Sequence, residues 1–260
     1  MMALSDAGVL LVRATRDRFS PISLGPLAEW DPSDLSTLYQ DAAGTIPAGV
    51  DDPVRLMLDK SGNGYDISAP SDTTRPFLRS SGGLFWLETD GIDDRMELSS
   101  RMGLATDPAL TVCAAIEKSA ADGSDYRVFH LGSFGAGSIA GSVGIGAGNG
   151  NSWRFNNGNR VFPVTTADAP EVITWERAAV STYGESKMFY DDVEQTADSV
   201  VNPDFNPTDT GAAFTIFSQQ SGNNNFRRKL HGMIVFDKVL APADLLKVQG
   251  YLARKQGRSL

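Results

Sequence analysis

The chain is 260 residues long, 41% hydrophobic and 21% charged, with a formal net charge of −9 at pH 7. That apolar fraction supports a sizeable core and excludes a disordered chain, and the acidic balance excludes the broad basic face of a nucleic-acid binder. The single cysteine, Cys113, excludes an intrachain disulfide; its apolar surroundings (LTVCAAI) read as a buried, inert thiol. Gly at 26 and Pro at 13, spread along the chain, favour many short strands and turns, the pattern of an all-β sandwich.

Residues 1–28 do not read as the body of the domain. Their longest apolar run, Val9–Val12, is too short for the centre of a signal peptide or for a membrane span, so cytoplasmic synthesis without membrane insertion is expected. A mixed-charge run from Arg13 to Arg18 follows, then Pro21, Gly25 and Pro26 as breakers. The segment reads either as an arm docking the domain of residues 29–260 onto a larger assembly, or as an extra edge strand or tail. Trp30-Asp31-Pro32-Ser33-Asp34-Leu35 has the chemistry of a helix start, with Asp31 as cap and Pro32 at the first position. Gly44 and Pro47 keep that helix short. Leu56–Ile67 runs as a strand into Ser61-Gly62-Asn63-Gly64, a loop suited to positive φ.

Leu84 to Leu98 (LFWLETDGIDDRMEL) reads as two strands joined at a tight acidic turn. Leu84 and Trp86 alternate with Phe85 and Leu87, so both faces are apolar, as in a strand inside a sandwich. Asp90-Gly91 supplies the turn, and Met96 and Leu98 resume the apolar beat on the return strand. Further strands are expected at Leu110–Lys118, Tyr126–Ser133, Ser142–Ala147, Ser152–Asn156, Val172–Ala178, Lys187–Tyr190, Phe214–Gln219 and Leu230–Asp237. Their close spacing without intervening helical patterns implies antiparallel pairing. Gly135–Gly150, rich in Gly and Ser, is a loop or a weak strand. The clearest helix closes the chain. It has Pro242 in its first turn, Asp244 near its start, and a stripe of Leu245, Val248 and Leu252 joined by Leu246 and Tyr251. Gly257 stops it. The basic clusters Arg227–Lys229 and Arg254–Arg258 read as a strand edge and the end of this helix.

Several groups could carry chemistry. Asp90, Asp93 and Asp94 could hold Ca2+, which takes six to eight oxygens; an ordinary acidic turn is the alternative. Asn151, Trp153, Arg154, Asn156 and Asn157 form one cluster of amides beside an aromatic, and Asn223 and Asn225 with Phe226 form another. Such loops on a rigid sandwich suit sugar recognition, although Asn and Gly also simply make hairpin turns and Trp153 could pack in the core. His130 and His231 lie in apolar strand-like runs and read as structural. No set of Asp, His or Cys recurs at metal spacing, and no nucleophile elbow or phosphate loop is present.

These stretches carry a family resemblance. LETDGIDDRMEL resembles the turn element of concanavalin A-like lectin/glucanase domains, the laminin-G-like jelly rolls. WDPSDLSTLYQD and LDKSGNGYD, with Arg75-Pro76 in the same order, resemble the opening of the laminin-G-like modules of bacteriophage tail and virion proteins. LHGMIVFDKVL and GYLARKQG are similar to the terminal strand and helix of those modules. Ala241 stands where the family usually has Ser or Thr, and Gln256 where it has Trp, departures expected to weaken the helix cap and one packing contact. The matched stretches cover residues 30–98 and 229–257. The resemblance implies an antiparallel β-sandwich of jelly-roll type with a short N-terminal helix and a packed C-terminal helix. It implies a virion component of tail, fibre or head surface, with a lectin-like domain for host-surface glycan adhesion. Other virion proteins would be its partners through residues 1–28, it would need no cofactor, and it would form a symmetric homo-oligomer. A purely structural connector is one alternative. A glycosidase is another: laminarinase-type enzymes of this fold use Glu-x-Asp-x-x-Glu, to be compared with Glu88, Asp90 and Asp93. Retaining hydrolysis needs two carboxyl groups about 5–5.5 Å apart. Here Gly91 interrupts the strand and the third acid is the shorter Asp93, so the expectation is a non-enzyme.

Overall fold

A computed structural model of the chain describes residues 19–105, 108–118, 126–132, 139–146, 152–155, 160–163, 169–179, 185–197, 199–200, 214–218 and 227–260. The strands, in order, are β1 (Ala28–Trp30), β2 (Leu38–Tyr39), β3 (Leu56–Met57), β4 (Ile67–Ser68), β5 (Phe77–Ser81), β6 (Leu84–Asp90), β7 (Met96–Leu98), β8 (Leu110–Lys118) and β9 (Tyr126–Gly132). They continue as β10 (Ile139–Gly146), β11 (Ser152–Phe155), β12 (Arg160–Pro163), β13 (Pro170–Arg177), β14 (Lys187–Tyr190), β15 (Val193–Glu194), β16 (Ser199–Val200), β17 (Phe214–Ile216) and β18 (Arg227–Phe236), before helix α1 (Pro242–Lys255). One sheet runs β15-β14-β13-β8-β18-β6-β5, with β1 also on β18; the other runs β16-β12-β11-β10-β9-β17-β7-β4-β3-β2.

The two-residue period of β8 explains the layering. Val112, Ala114 and Ile116 face the core between the sheets, with Ile173, Trp175, Met233 and Val235 of the flanking strands. Cys113 and Ala115 face the other way and pack with Val172, Ile234, Phe236, Leu245, Val248 and Leu252. A strand apolar on both sides thus has a sheet on one side and an amphipathic helix on the other. Burial pushes the Cys113 thiol up to about 12. An aromatic run crosses between the sheets: Trp30 stacks on Phe214 at 5.4 Å, Phe214 on Phe129 at 5.8 Å, and Phe129 meets Trp175 at 5.8 Å. The Trp30 indole also donates to Tyr65 O at 2.9 Å.

Four expectations change. β6 and β7 are not a hairpin: β6 pairs with β5 and β18 in the first sheet, and β7 with β17 and β4 in the second. The Asp90-Gly91 segment therefore carries the chain from one layer to the other. The helix expected at Trp30 shrinks to a 3-10 turn at Leu35–Thr37, because Trp30 belongs to β1 and Asp31 is buried in an ion network. Leu246 stands 49% exposed, outside the apolar stripe. Gln256 does not leave a packing defect; its Nε2 donates to Ile116 O at 2.7 Å and Glu171 O at 3.1 Å, tying the helix end to β8 and β13.

Other readings hold. Ile139–Gly146 of the glycine-rich run is a strand with register shifts against β9, and Gly62 and Gly64 have φ of 90° and 76°. Gly257, at φ 73°, closes α1, and its missing side chain lets the helix end approach Leu84, whose Cδ1 would lie 3.2 Å from an added Cβ. Phe19 and Leu24 pack on the helix-side cluster, and the Leu27 N–H donates to Val235 O at 2.7 Å. Residues 19–28 thus fold back onto their own sandwich; residues 1–18 lie outside the described residues.

Candidate functional site

The best-formed site grows from the β5–β6 hairpin. Gly82 and Gly83, at φ 59° and 81°, form the two-residue connection whose double positive φ matches strand twist. The resulting register sets Phe77 opposite Glu88 and Arg79 opposite Trp86. On the other side of β6, Lys229 of β18 pairs with Glu88, and Lys229 in turn with Glu117 of β8. Phe77, Glu88, Lys229 and Glu117 therefore form a cross-strand row beside Arg79 and Trp86.

The charges in this row hold one another. Arg79 Nη1 donates to Asp51 Oδ1 at 2.7 Å and its Nε to Glu88 Oε2 at 3.1 Å, with the guanidinium carbon 5.0 Å from the Phe77 ring centre. Lys229 Nζ meets Glu117 Oε1 at 2.9 Å and lies 4.7 Å from the Trp86 ring centre. Trp86 is half-buried against His231. Burial pushes the His231 imidazole down to about 4, so it is neutral and structural at pH 7, as is expected of a histidine inside an apolar strand. Beside the row opens a cleft of ≈ 1020 Å³, whose lining includes Arg75, Phe77, Arg79, Glu88, Asp90 and Asp94. Phe77 is exposed there, as is Ile92 at its rim.

Asp90, Asp93 and Asp94 meet at one end, with carboxylate oxygens all within 4.8 Å of one another. Asp90 makes its own turn, its Oδ1 accepting the Ile92 N–H at 2.7 Å. Asp94 is only 4% exposed, and its Oδ2 accepts the Asp90 N–H at 2.8 Å. Burial first, then the charges of Asp90 and Asp93, push the Asp94 carboxyl up to about 7. Three hard oxygen donors sharing uncompensated charge fit calcium better than a soft metal, and supply part of the six to eight oxygens it takes. Glu88 and Asp90, the carboxylates an enzyme would use, each have an oxygen engaged in local bonds.

The residues expected to bind sugar fall elsewhere. Trp153 and Arg154 lie on β11, opposite Ile145 and Gly144 of β10 and Phe162 and Val161 of β12. Asn151, Asn156, Asn157, Asn223 and Asn225 lie outside the described residues. Phe77, Arg79 and Trp86 were not expected at a site. The signal was present in FLRSSGGLFWLE, where a Gly-Gly turn between two alternating segments sets an aromatic and an arginine opposite a tryptophan and a glutamate.

Two packed antiparallel sheets, with a polar, aromatic-edged cleft beside one hairpin, define a lectin-like β-sandwich. The chain belongs to the concanavalin A-like lectin/glucanases superfamily, whose laminin-G-type family model matches residues 90–245. No curated protein sequence matches. Among solved structures, the chain is similar to a GH54 α-L-arabinofuranosidase soaked with a cyclic sulfate inhibitor, with TM-score 0.62 and 14% identity over 88% of this chain and 63% of that one. It is similar to a Trypanosoma rangeli sialidase in complex with 2,3-difluorosialic acid, with TM-score 0.60 and 12% identity over 90% of this chain and 34% of the enzyme. The botulinum neurotoxin serotype G binding domain gives TM-score 0.57 and 9% identity over 88% and 51%. The chain spans only part of each, and these identities carry the fold alone.

Proposed function

We propose that the protein is a non-catalytic glycan-binding module displayed on a bacteriophage virion, where it serves adhesion to host-surface sugars. The observation that carries the binding part is an open cleft whose lining sets the exposed Phe77 ring beside Arg79 and Glu88. Sugars need ring faces to rest on and fixed donors and acceptors for their hydroxyls, and a hairpin held by Arg79 and Lys229 presents both without reorganisation. Superfamily membership and similarity to a toxin binding domain support the same reading. On a glycan array the chain should bind at least one glycan, and Arg79→Ala should weaken that binding about tenfold through loss of one charge-assisted contact and the cleft's geometry. An array with nothing above background overturns the reading. The carbohydrate-active enzymes among the similar structures favour one alternative, a glycosidase working through Glu88 and Asp90, which requires turnover that Glu88→Gln abolishes.

The virion setting is supported by the resemblance of the Trp30 and Leu58 stretches to tail and virion modules. In this setting the domain is carried as a symmetric homo-oligomer, and the segment before Phe19 attaches it. Because Phe19 and Leu24 pack on the sandwich, the informative deletion is residues 1–18 rather than 1–28. The shortened chain should melt within a few degrees of the full chain yet fail to enter particles in a complementation assay. Normal incorporation would refute the attachment role.

A further inference from the structure

We infer that a second cleft, at the C-terminal end of α1, binds a sugar bearing a single carboxylate. The cleft, of ≈ 880 Å³, lies between the last turn of the helix, the Gly83–Phe85 stretch and Phe19. Arg254, Lys255 and Arg258 line it, together with Phe19, Leu84 and Tyr251, and among the described residues no carboxylate does. In a chain with 32 acidic and 23 basic residues, that is the reverse of the average surface. The first cleft shows the opposite balance, with Asp72, Glu88, Asp90 and Asp94 against two arginines.

Two of the three cations are already fixed. Lys255 Nζ donates to Asp31 Oδ2 at 2.7 Å and to Ser33 Oγ at 2.8 Å. Arg258 is clamped on the Asp191 carboxylate. Tyr251 is held by its hydroxyl, which donates to Glu29 Oε1 at 2.9 Å. Arg254 is exposed and has no carboxylate or hydrogen-bond partner among the described residues. Complementing the helix dipole explains the sign of its charge, but the final carbonyls are served by others. Ala253 O accepts from the Gln256 and Arg258 N–H groups, and Arg254 O from the Gly257 N–H.

One free guanidinium therefore stands at a preorganised, apolar and aromatic wall. Its planar fork matches a carboxylate in two parallel bonds. Phe19 and Leu84 provide the apolar walls that one face of a pyranose requires, while Lys255 Nζ lies over the Tyr251 ring at 4.9 Å from its centre. At Gly83, nothing lies within 4 Å of where a Cβ would stand, which leaves room for the ring. One unpaired cation calls for one negative charge, as on a uronic acid.

The inference goes beyond the proposed function and stands even if no glycan occupies the first cleft. Calorimetric titration of the full chain at low salt, with methyl glucuronide, methyl glucoside and inorganic phosphate, tests it. Methyl glucuronide should bind, methyl glucoside about tenfold or more weaker, and phosphate likewise weaker. Arg254→Gln, an exposed change that leaves the fold alone, should lose about tenfold for the glucuronide, while Lys247→Gln, which removes an exposed positive charge elsewhere on the same helix, stays within about twofold. Equal binding of the neutral glycoside, phosphate binding as tight as the glucuronide, or an Arg254→Gln chain that binds as well as the native one would each overturn it.

Discussion

Asp31→Ala is expected to destabilise the fold by about 3–5 kcal/mol, the range for removing one partner from a buried ionic network. The residue is 2% exposed. Its Oδ1 accepts the Ser33 N–H at 3.0 Å and the Ser33 hydroxyl at 2.7 Å, and its Oδ2 accepts Lys60 Nζ at 2.9 Å and Lys255 Nζ at 2.7 Å. The alanine leaves Lys255 without its carboxylate and Lys60 with Asp34 as its remaining one, and loosens the tie between the start of the sandwich and the helix at its end. Burial alone would raise the Asp31 carboxyl, but the charge of Lys255 and the bonds from Lys255, Lys60 and Ser33 outweigh it and hold the group at about 2, below its ordinary 3.8. Since the folded value is the lower one, its contribution is complete above pH 4 and disappears as pH falls from 3.8 to about 2. Urea unfolding at pH 7 measures the first effect. A pH series measures the second, as about 2 kcal/mol of acid sensitivity that the variant lacks. A loss below about 1 kcal/mol at pH 7 would show that the network does not hold the helix.

Asp94→Asn should do the reverse in calcium-free buffer. The folded-state carboxyl is raised from 3.8 to about 7, so the folded chain keeps that proton while the unfolded chain has already released it. Stability therefore falls as pH rises from 3.8 to about 7 and stays reduced above it. Asparagine cannot ionise and still offers a carbonyl to the Asp90 N–H. At pH 8 the variant should be more stable by about 2–4 kcal/mol, with the advantage gone near pH 4. Calcium separates the two meanings of the cluster. If Asp90, Asp93 and Asp94 ligate it, millimolar calcium raises the melting temperature of the native chain and not of the variant. A native chain indifferent to calcium, together with a stabilised variant, would leave an acidic turn and no metal site.

Much of this molecule could be read from its residues, but unevenly. The whole of β8, the run Lys187–Tyr190 and the stripe of α1 were visible because periods of two and 3.6 are local properties. The crossing at Asp90-Gly91 was not. An Asp-Gly turn has the same chemistry whether the chain folds back on its neighbour or passes to the opposite layer, and the pairing of Asp90 with Arg227 lies far along the chain. Asp31 misled in the same way. Accepting the Ser33 N–H is what a helix cap does, and only the distant Lys60 and Lys255 make it an ion hub. Strands of two residues, such as β2, β3 and β4, are too short to show any period. In the candidate site the acids at 90, 93 and 94 were legible as a cluster. The role of Phe77 and Arg79 depended on a register that only the Gly82-Gly83 connection determines.

Cys113 lies between β8 and the helix, beneath Leu245, Val248 and Leu252. Any event that lifts the helix uncovers the protein's sole thiol, while an intact cover keeps it from reagents. The alkylation rate of that group is thus a clock for release of the chain's last segment, read separately from melting of the layers beneath.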